Sequence, residues 1–145
     1  MTDAADRLLQ HSQQFAVRTY EVDENGHVNN GVYLGWAENL TAEHAELVGF
    51  GRDWSLERGG AWFVRRHEIT YHQPAVRSDR IEATVRVLAL GGARGKRRTT
   101  FRRASDGTTL VEVLSEWVWV RVTDGRPMRV PREMVERYRA VLGEA

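Results

Sequence analysis

The sequence predicts an α+β fold: one antiparallel sheet with one principal helix packed against it. Three observations carry this reading. A helix-spaced segment of roughly twenty residues stands early in the chain. Strand-like segments dominate the rest of the chain, with no second long helix among them. The loops joining those segments are too short for parallel crossovers.

Residues 15–22 read as the first strand, apolar and polar positions alternating before a polar turn over residues 23–30. Asn29 or Asn30 is a suitable N-cap for the helix, which continues to Val48, where Gly49 and Gly51 supply the stop. Trp36, Leu40 and Leu47 give it an apolar stripe and Gly35 permits close backbone approach, so it should be central, with the sheet wrapped round it. Residues 51–60 read as a connection with a short helical turn near Trp54 and Leu56. Residues 61–71 form the next strand, ended by Pro74. Residues 80–90 alternate cleanly, placing Ile81, Ala83, Val85, Val87 and Ala89 on one face. Gly91, Gly92 and Gly95 mark a turn before the strand at 97–103, and Ser105, Asp106 and Gly107 another before the strand at 110–122. After Asp124 and Gly125 turn the chain, Pro131 fits a first helical position, and Met134, Val135, Tyr138, Val141 and Leu142 give a short amphipathic helix.

A chain of 145 residues is read as one domain, long enough to bury roughly 70% of its unfolded surface. Lys plus Arg total 21 against 20 for Asp plus Glu, a net charge of +1. That balance gives no global attraction to nucleic acid or an anionic membrane. With no cysteine, disulfides, thiolate metal sites and a cysteine nucleophile are excluded. The N-terminal stretch is acidic and polar, and no segment approaches a membrane span, so a soluble cytoplasmic protein is expected.

The densest chemistry lies at residues 23–36, DENGHVNNGVYLGW. Asp23, Asn25, His27, Asn29 and Asn30 crowd one turn, and Tyr33, Trp36, Ala37 and Leu40 follow at spacings of three and four. A loop that only reversed direction would not need so many polar groups.

These residues resemble the hotdog-fold thioesterases, in particular the 4-hydroxybenzoyl-CoA thioesterase-like and acyl-ACP thioesterase branches. Asp23, Gly26 and Tyr33 match the spacing of the bacterial acyl-CoA thioesterase signature, and HVNN at 27–30 with Asn25, Tyr33 and Trp36 is similar to the acyl-ACP version of the same turn. RRHEITYHQPA at 65–75 is similar to the strand and Pro-Ala break that follow the helix in many members. The resemblance implies a hotdog fold, a five-stranded antiparallel sheet wrapped around one long central helix. It also implies a homodimer, or a tetramer of two such dimers, with active sites at the subunit interface. The implied activity is hydrolysis of an acyl-CoA, with no metal or organic cofactor. An acyl-ACP substrate and a non-catalytic acyl-CoA-binding module are the alternatives.

A thioester carbonyl needs a nucleophile, stabilisation of the developing oxyanion and a channel for its acyl chain. Asp23, matched to the family carboxylate, is the candidate base or nucleophile. Asn25 and His27 are candidate catalytic partners; His27 could orient Asp23, polarise water or cap backbone. The N–H groups of Asn30 and Gly31, at the helix start, are the candidate oxyanion donors. Tyr33 and Trp36 have two readings, core packing and substrate contact. Arg94, Lys96, Arg97, Arg98, Arg102 and Arg103 form a basic stretch without an acid. They read either as edge-strand charges or as a landing site for CoA phosphates or an acidic carrier protein. Nucleic-acid binding is a poorer fit, with Phe101 the one aromatic in the stretch. His67 and His72, five apart on a strand, face opposite sides, and no metal site is read.

Overall fold

The structure, a computed structural model, describes residues 3–143. Helix α1 (Asp3–Leu9) leads into strand β1 (Gln10–Ala16), and a short 3-10 turn (Thr19–Glu21) precedes the polar turn and the long helix α2 (Val32–Leu47). Helix α3 (Arg52–Glu57), strands β2 (Gly60–Tyr71), β3 (Arg80–Gly91), β4 (Arg94–Arg103) and β5 (Thr109–Arg121), and helix α4 (Arg132–Leu142) follow. The sheet has the order β1-β3-β4-β5-β2, every neighbouring pair antiparallel.

The alternation read in β3 places Ile81, Ala83, Val85 and Val87 inward, and the same period in β4 and β5 turns Phe101, Val111 and Val113 to that face. Tyr33, Trp36, Ala37 and Leu40 of α2 close the core over them. A second apolar cluster joins Trp119 to Phe50, Val130, Met134 and Tyr138, docking α4 beside the far end of α2.

Several details differ from the sequence reading. The first strand is β1, not residues 15–22: an edge strand built of polar residues pairs through its backbone with β3. Of the apolar residues read as that strand, Phe15 lies near the end of β1, edge-on to Trp36 at 4.9 Å, and Val17 is buried just beyond it. Helix α1 is absent from the sequence reading, because only Leu8 and Leu9 at its end are buried. Asn29 and Asn30 do not cap α2. Gly31 holds the cap position without a side-chain bond, while Asn29, further outside, takes the Gly31 N–H on Oδ1 at 3.2 Å and the Val32 N–H on its carbonyl at 2.9 Å. Pro131 likewise caps α4 rather than beginning it. Ala89 leaves the inward face because the β3–β4 register shifts between Val87 and Ala89.

The start of β2 tolerates no side chain. A Cβ on Gly60 would overlap the fully buried Trp119 indole. Gly60→Ala should therefore destabilise the fold by ~1–3 kcal/mol, read from chemical denaturation. Gly91→Ala, where a Cβ meets nothing within 4 Å, should stay within about 0.5 kcal/mol of the parent.

Candidate functional site

The turn before α2 is held from several directions. The Asp23 N–H donates to the His27 carbonyl at 2.8 Å, and Val22 and Val28 bridge across it. Gly26, at φ +76°, makes the reversal that an L side chain resists. The loop after β2 clamps the outside: Val28 N–H donates to the Ala75 carbonyl at 2.8 Å and Arg77 N–H to the Gly26 carbonyl at 3.1 Å.

Within this frame Asp23 points one carboxylate oxygen at backbone, accepting the N–H of Asn25 at 2.9 Å and of His27 at 3.1 Å. No bond of this kind engages its other oxygen among the described residues. Asp23, Asn25 and His27 all lie exposed at the surface. Of the two candidate oxyanion donors, Gly31 N–H is taken by Asn29, whereas Asn30 N–H has no acceptor among the described residues. Asn30 is itself fixed, since the Tyr71 hydroxyl donates to its carbonyl at 3.0 Å.

Tyr33 and Trp36 are buried in the core, the packing reading of the two the sequence offered. Tyr33 is 1% exposed and its hydroxyl accepts the Ala75 N–H at 3.1 Å. Burial raises its pKa. The Trp36 indole N–H donates to Glu21 Oε2 at 2.7 Å. Their polar atoms are spent within the protein, as buried polar groups require.

Further along α2 lies a cavity of about 320 Å³ lined by residues of α2, α3, α4 and strands β2 to β5, at the lower end of the roughly 300–1,000 Å³ range of ligand pockets. Glu38 stands on its wall. Its Oε1 lies 3.2 Å from His67 Nε2, and His67 Nδ1 lies 2.7 Å from Ser115 Oγ. Sequence reasoning does not connect these three; the inward face of a strand carrying Ser115 gives no hint of which helix residue it will meet. His72 points elsewhere, toward Glu112 at 3.7 Å. Among the described residues no three His, Asp or Glu side chains gather as a metal-ligand set.

The basic stretch is not one surface. Period two on β4 sends Arg94, Lys96 and Arg98 outward and Arg97 inward. Arg102 is half-buried. Arg103 pairs with buried Asp79 at 3.1 Å and with Asp106 at 3.3 Å, and donates to the Pro74 carbonyl. These bonds clamp two loops together. Lys96 lies 3.6 Å from Glu116.

Arg97 reaches the cavity wall instead. Its Nη1 donates to His44 Nδ1 at 3.1 Å, and His44 Nε2 donates to the Arg7 carbonyl at 2.7 Å. That pair of bonds requires neutral imidazole with the proton on Nε2. His44 is 1% exposed, and burial, with Arg97 and His11 nearby, lowers its pKa to about 4 against the opposing Arg7 bond. Tyr138 lines the cavity beside Arg97 and favours its charged form.

A profile of the thioesterase-like superfamily matches residues 17–138. The long-chain acyl-CoA thioesterase FadM of Escherichia coli is 26% identical over 124 residues, 86% of this chain and 93% of that protein. A chloroplastic acyl-acyl carrier protein thioesterase of Arabidopsis thaliana is 23% identical over 128 residues, 88% of this chain and 67% of that protein. Among solved structures, a thioesterase complexed with coenzyme A and Zn from Thermus thermophilus aligns with TM-score 0.75 and 29% identity, over 92% of this chain and 95% of that one. An oleoyl thioesterase from Lactobacillus plantarum aligns with TM-score 0.83 and 22% identity over 90% of this chain, which spans half of that longer protein.

The buried neutral His44 makes stability pH-dependent. Its folded pKa lies below the unfolded value of 6.5, so the unfolded chain binds more protons between pH 6.5 and 4 and stability falls as pH drops through that window. The loss from this group should be about 2 kcal/mol between pH 7 and pH 5. Urea denaturation of the parent and His44→Gln across pH should show the two curves converging toward pH 5. Parallel curves would mean that folding does not change the proton affinity of His44.

Proposed function

Because this chain belongs to the thioesterase-like superfamily, we propose that it hydrolyses an acyl thioester of coenzyme A, with Asp23 as the carboxylate that makes the attacking oxygen nucleophilic. The observation that carries this reading is the pairing, at the head of α2, of an exposed carboxylate held by two backbone N–H groups with the open N–H of Asn30. Asp23 takes a proton from water, the water oxygen bonds to the thioester carbon, and the oxyanion forms against Asn30 N–H with the helix dipole behind it. Collapse of that adduct breaks the C–S bond. The thiol leaves carrying the proton, and the products are a carboxylic acid and CoA. Direct attack by Asp23 gives the same products through an anhydride that water then cleaves. His27, whose N–H bonds Asp23, positions the carboxylate, and Asn25 does so through its own N–H.

CoA is preferred over a carrier protein because FadM covers nearly the same length and acts, by its name, on long-chain acyl-CoA. The outward Arg94, Lys96 and Arg98 are the phosphate-binding candidates that remain. A carrier-protein thioester is the second reading, favoured by the likeness to the Arabidopsis enzyme.

The reading also includes a homodimer. The turn at residues 23–31 lies open in one chain, with Tyr20 84% exposed and Tyr71 44% exposed beside it. The edge strand β2 runs twelve residues and exposes Phe63, whereas the opposite edge, β1, is short and polar. A long, partly apolar edge is a ready pairing surface. Pairing of β2 with its copy is proposed to complete the site. Sedimentation at micromolar concentration should give a dimer, and Phe63→Asp should shift it toward monomer with loss of turnover. A fully active monomer would remove the shared-site model.

Asp23→Asn should keep the fold and lower kcat on acyl-CoA by at least ~100-fold, the low end for removing a positioned base, because the amide still accepts the two turn bonds but cannot take a proton. Glu38→Gln is the necessary comparison, since Glu38 is a carboxylate on the wall of the cavity, which Asp23 does not line. Parent turnover in Asp23→Asn with collapse in Glu38→Gln would transfer the role to Glu38.

A further inference from the structure

The cavity beside α2 has a charged end that hydrolysis of a plain hydrocarbon chain does not explain. Trp62, Trp117 and Leu90 make its walls apolar, yet Arg97 also lines it. Arg97 forms no salt bridge among the described residues. The two acidic side chains on the wall are engaged elsewhere: Glu38 with His67, and Glu46 with the N–H of Arg52 at 3.0 Å. A guanidinium has five donors. Its one side-chain hydrogen bond among the described residues is to neutral His44, so its remaining donors and its charge have no protein counterpart and are open to a ligand. Burial disfavours that charge. The Trp117 indole N–H has no acceptor either, and Trp117 lies on the same wall.

From these contacts we propose that the cavity selects acyl groups whose far end carries a carboxylate, with Arg97 as the specificity-determining residue that receives it. The inference rests on the thioesterase reading given above. A substrate carboxylate supplies the negative charge that the protein omits, in the two-toothed geometry a guanidinium favours. His44 holds the guanidinium in place: its Nε2 proton is committed to the Arg7 carbonyl, so Nδ1 faces Arg97 as an acceptor. Tyr138 of α4 lines the cavity beside it. The position also sets a length. His44 lies roughly three turns beyond Val32, about 18 Å along the helix, so only an acyl chain of medium or greater length, entering from the turn at the head of α2, spans the distance. The products would be a dicarboxylic acid and CoA.

The test separates selection from hydrolysis. Binding of non-hydrolysable S-alkyl-CoA thioethers, about six to sixteen carbons long, is measured by tryptophan fluorescence against ω-carboxy counterparts of equal length. The corresponding thioesters are assayed for kcat/KM. The parent should prefer the ω-carboxy member by roughly 10-fold or more once the chain is long enough, in both binding and kcat/KM. In Arg97→Met that preference should be abolished or reversed, because removing the guanidinium leaves a carboxylate in an apolar cavity without a partner. Arg97→Lys should retain part of it. The preference is a ratio within one variant, so a fraction of misfolded protein does not alter it. Preferential binding of the ω-carboxy thioethers without turnover of any thioester would overturn hydrolysis and leave this selection standing. Equal treatment of the two series by the parent, or a preference unchanged in Arg97→Met, would overturn the selection. An ω-hydroxy series bound as well as the ω-carboxy series would overturn the choice of a carboxylate.

Discussion

The anchoring of the first turns of α2 is the constraint on which the site depends. Tyr33 packs edge-on against both Trp36 and Tyr71, and the three side chains spend their polar tips on different segments. Tyr33 bonds Ala75, Trp36 bonds Glu21, and Tyr71 bonds the Asn30 carbonyl. The Glu21 carboxylate, 7% exposed, would be costly without partners. It accepts the Arg18 N–H at 2.7 Å on one oxygen and the Trp36 indole on the other, with the Arg18 guanidinium 3.6 Å away. Slipping α2 by one residue would break all of these together, because the aromatic bodies and their hydrogen bonds must match at once. A helix head fixed in this way holds the Asn30 N–H in place, while two backbone N–H groups hold one oxygen of Asp23.

Much of the architecture is legible from periodicity. The alternation through Ile81, Ala83 and Val85 and the three-and-four spacing through Tyr33, Trp36, Ala37 and Leu40 both face the core in the structure. Gly49, at φ +86°, ends α2 where the sequence places a C-terminal glycine. The first strand is misplaced in the sequence reading because an edge strand needs backbone pairing more than an apolar face. The candidate catalytic turn is visible from its density of short polar side chains. Its tertiary partners are not: nothing local in the sequence says that Glu38 meets His67, or that His44 meets Arg97.

The basic stretch at 94–103 shows why composition misleads on a strand. Six like charges read as one patch, but a pleat divides them. Arg97 goes to the cavity and Arg103 to a loop clamp on Asp79, while Arg94, Lys96 and Arg98 stay in solvent. Only the outward set remains for remote phosphates. The inward one faces the end of α2 far from the turn, so the two ends of the helix carry different chemistry: a carboxylate and a free N–H at its head, a guanidinium without a counter-charge near its tail.

The central claim is that the thioester sits at the head of α2 and its acyl chain runs into the cavity along that helix. A crystal structure of the protein with a non-hydrolysable long-chain S-alkyl-CoA thioether tests it most directly. The account predicts the sulfur beside the Asp23–Asn30 turn and the alkyl chain against Trp62 and Trp117, its end near Arg97. A chain lying outside this cavity, or a sulfur remote from Asp23, would contradict it.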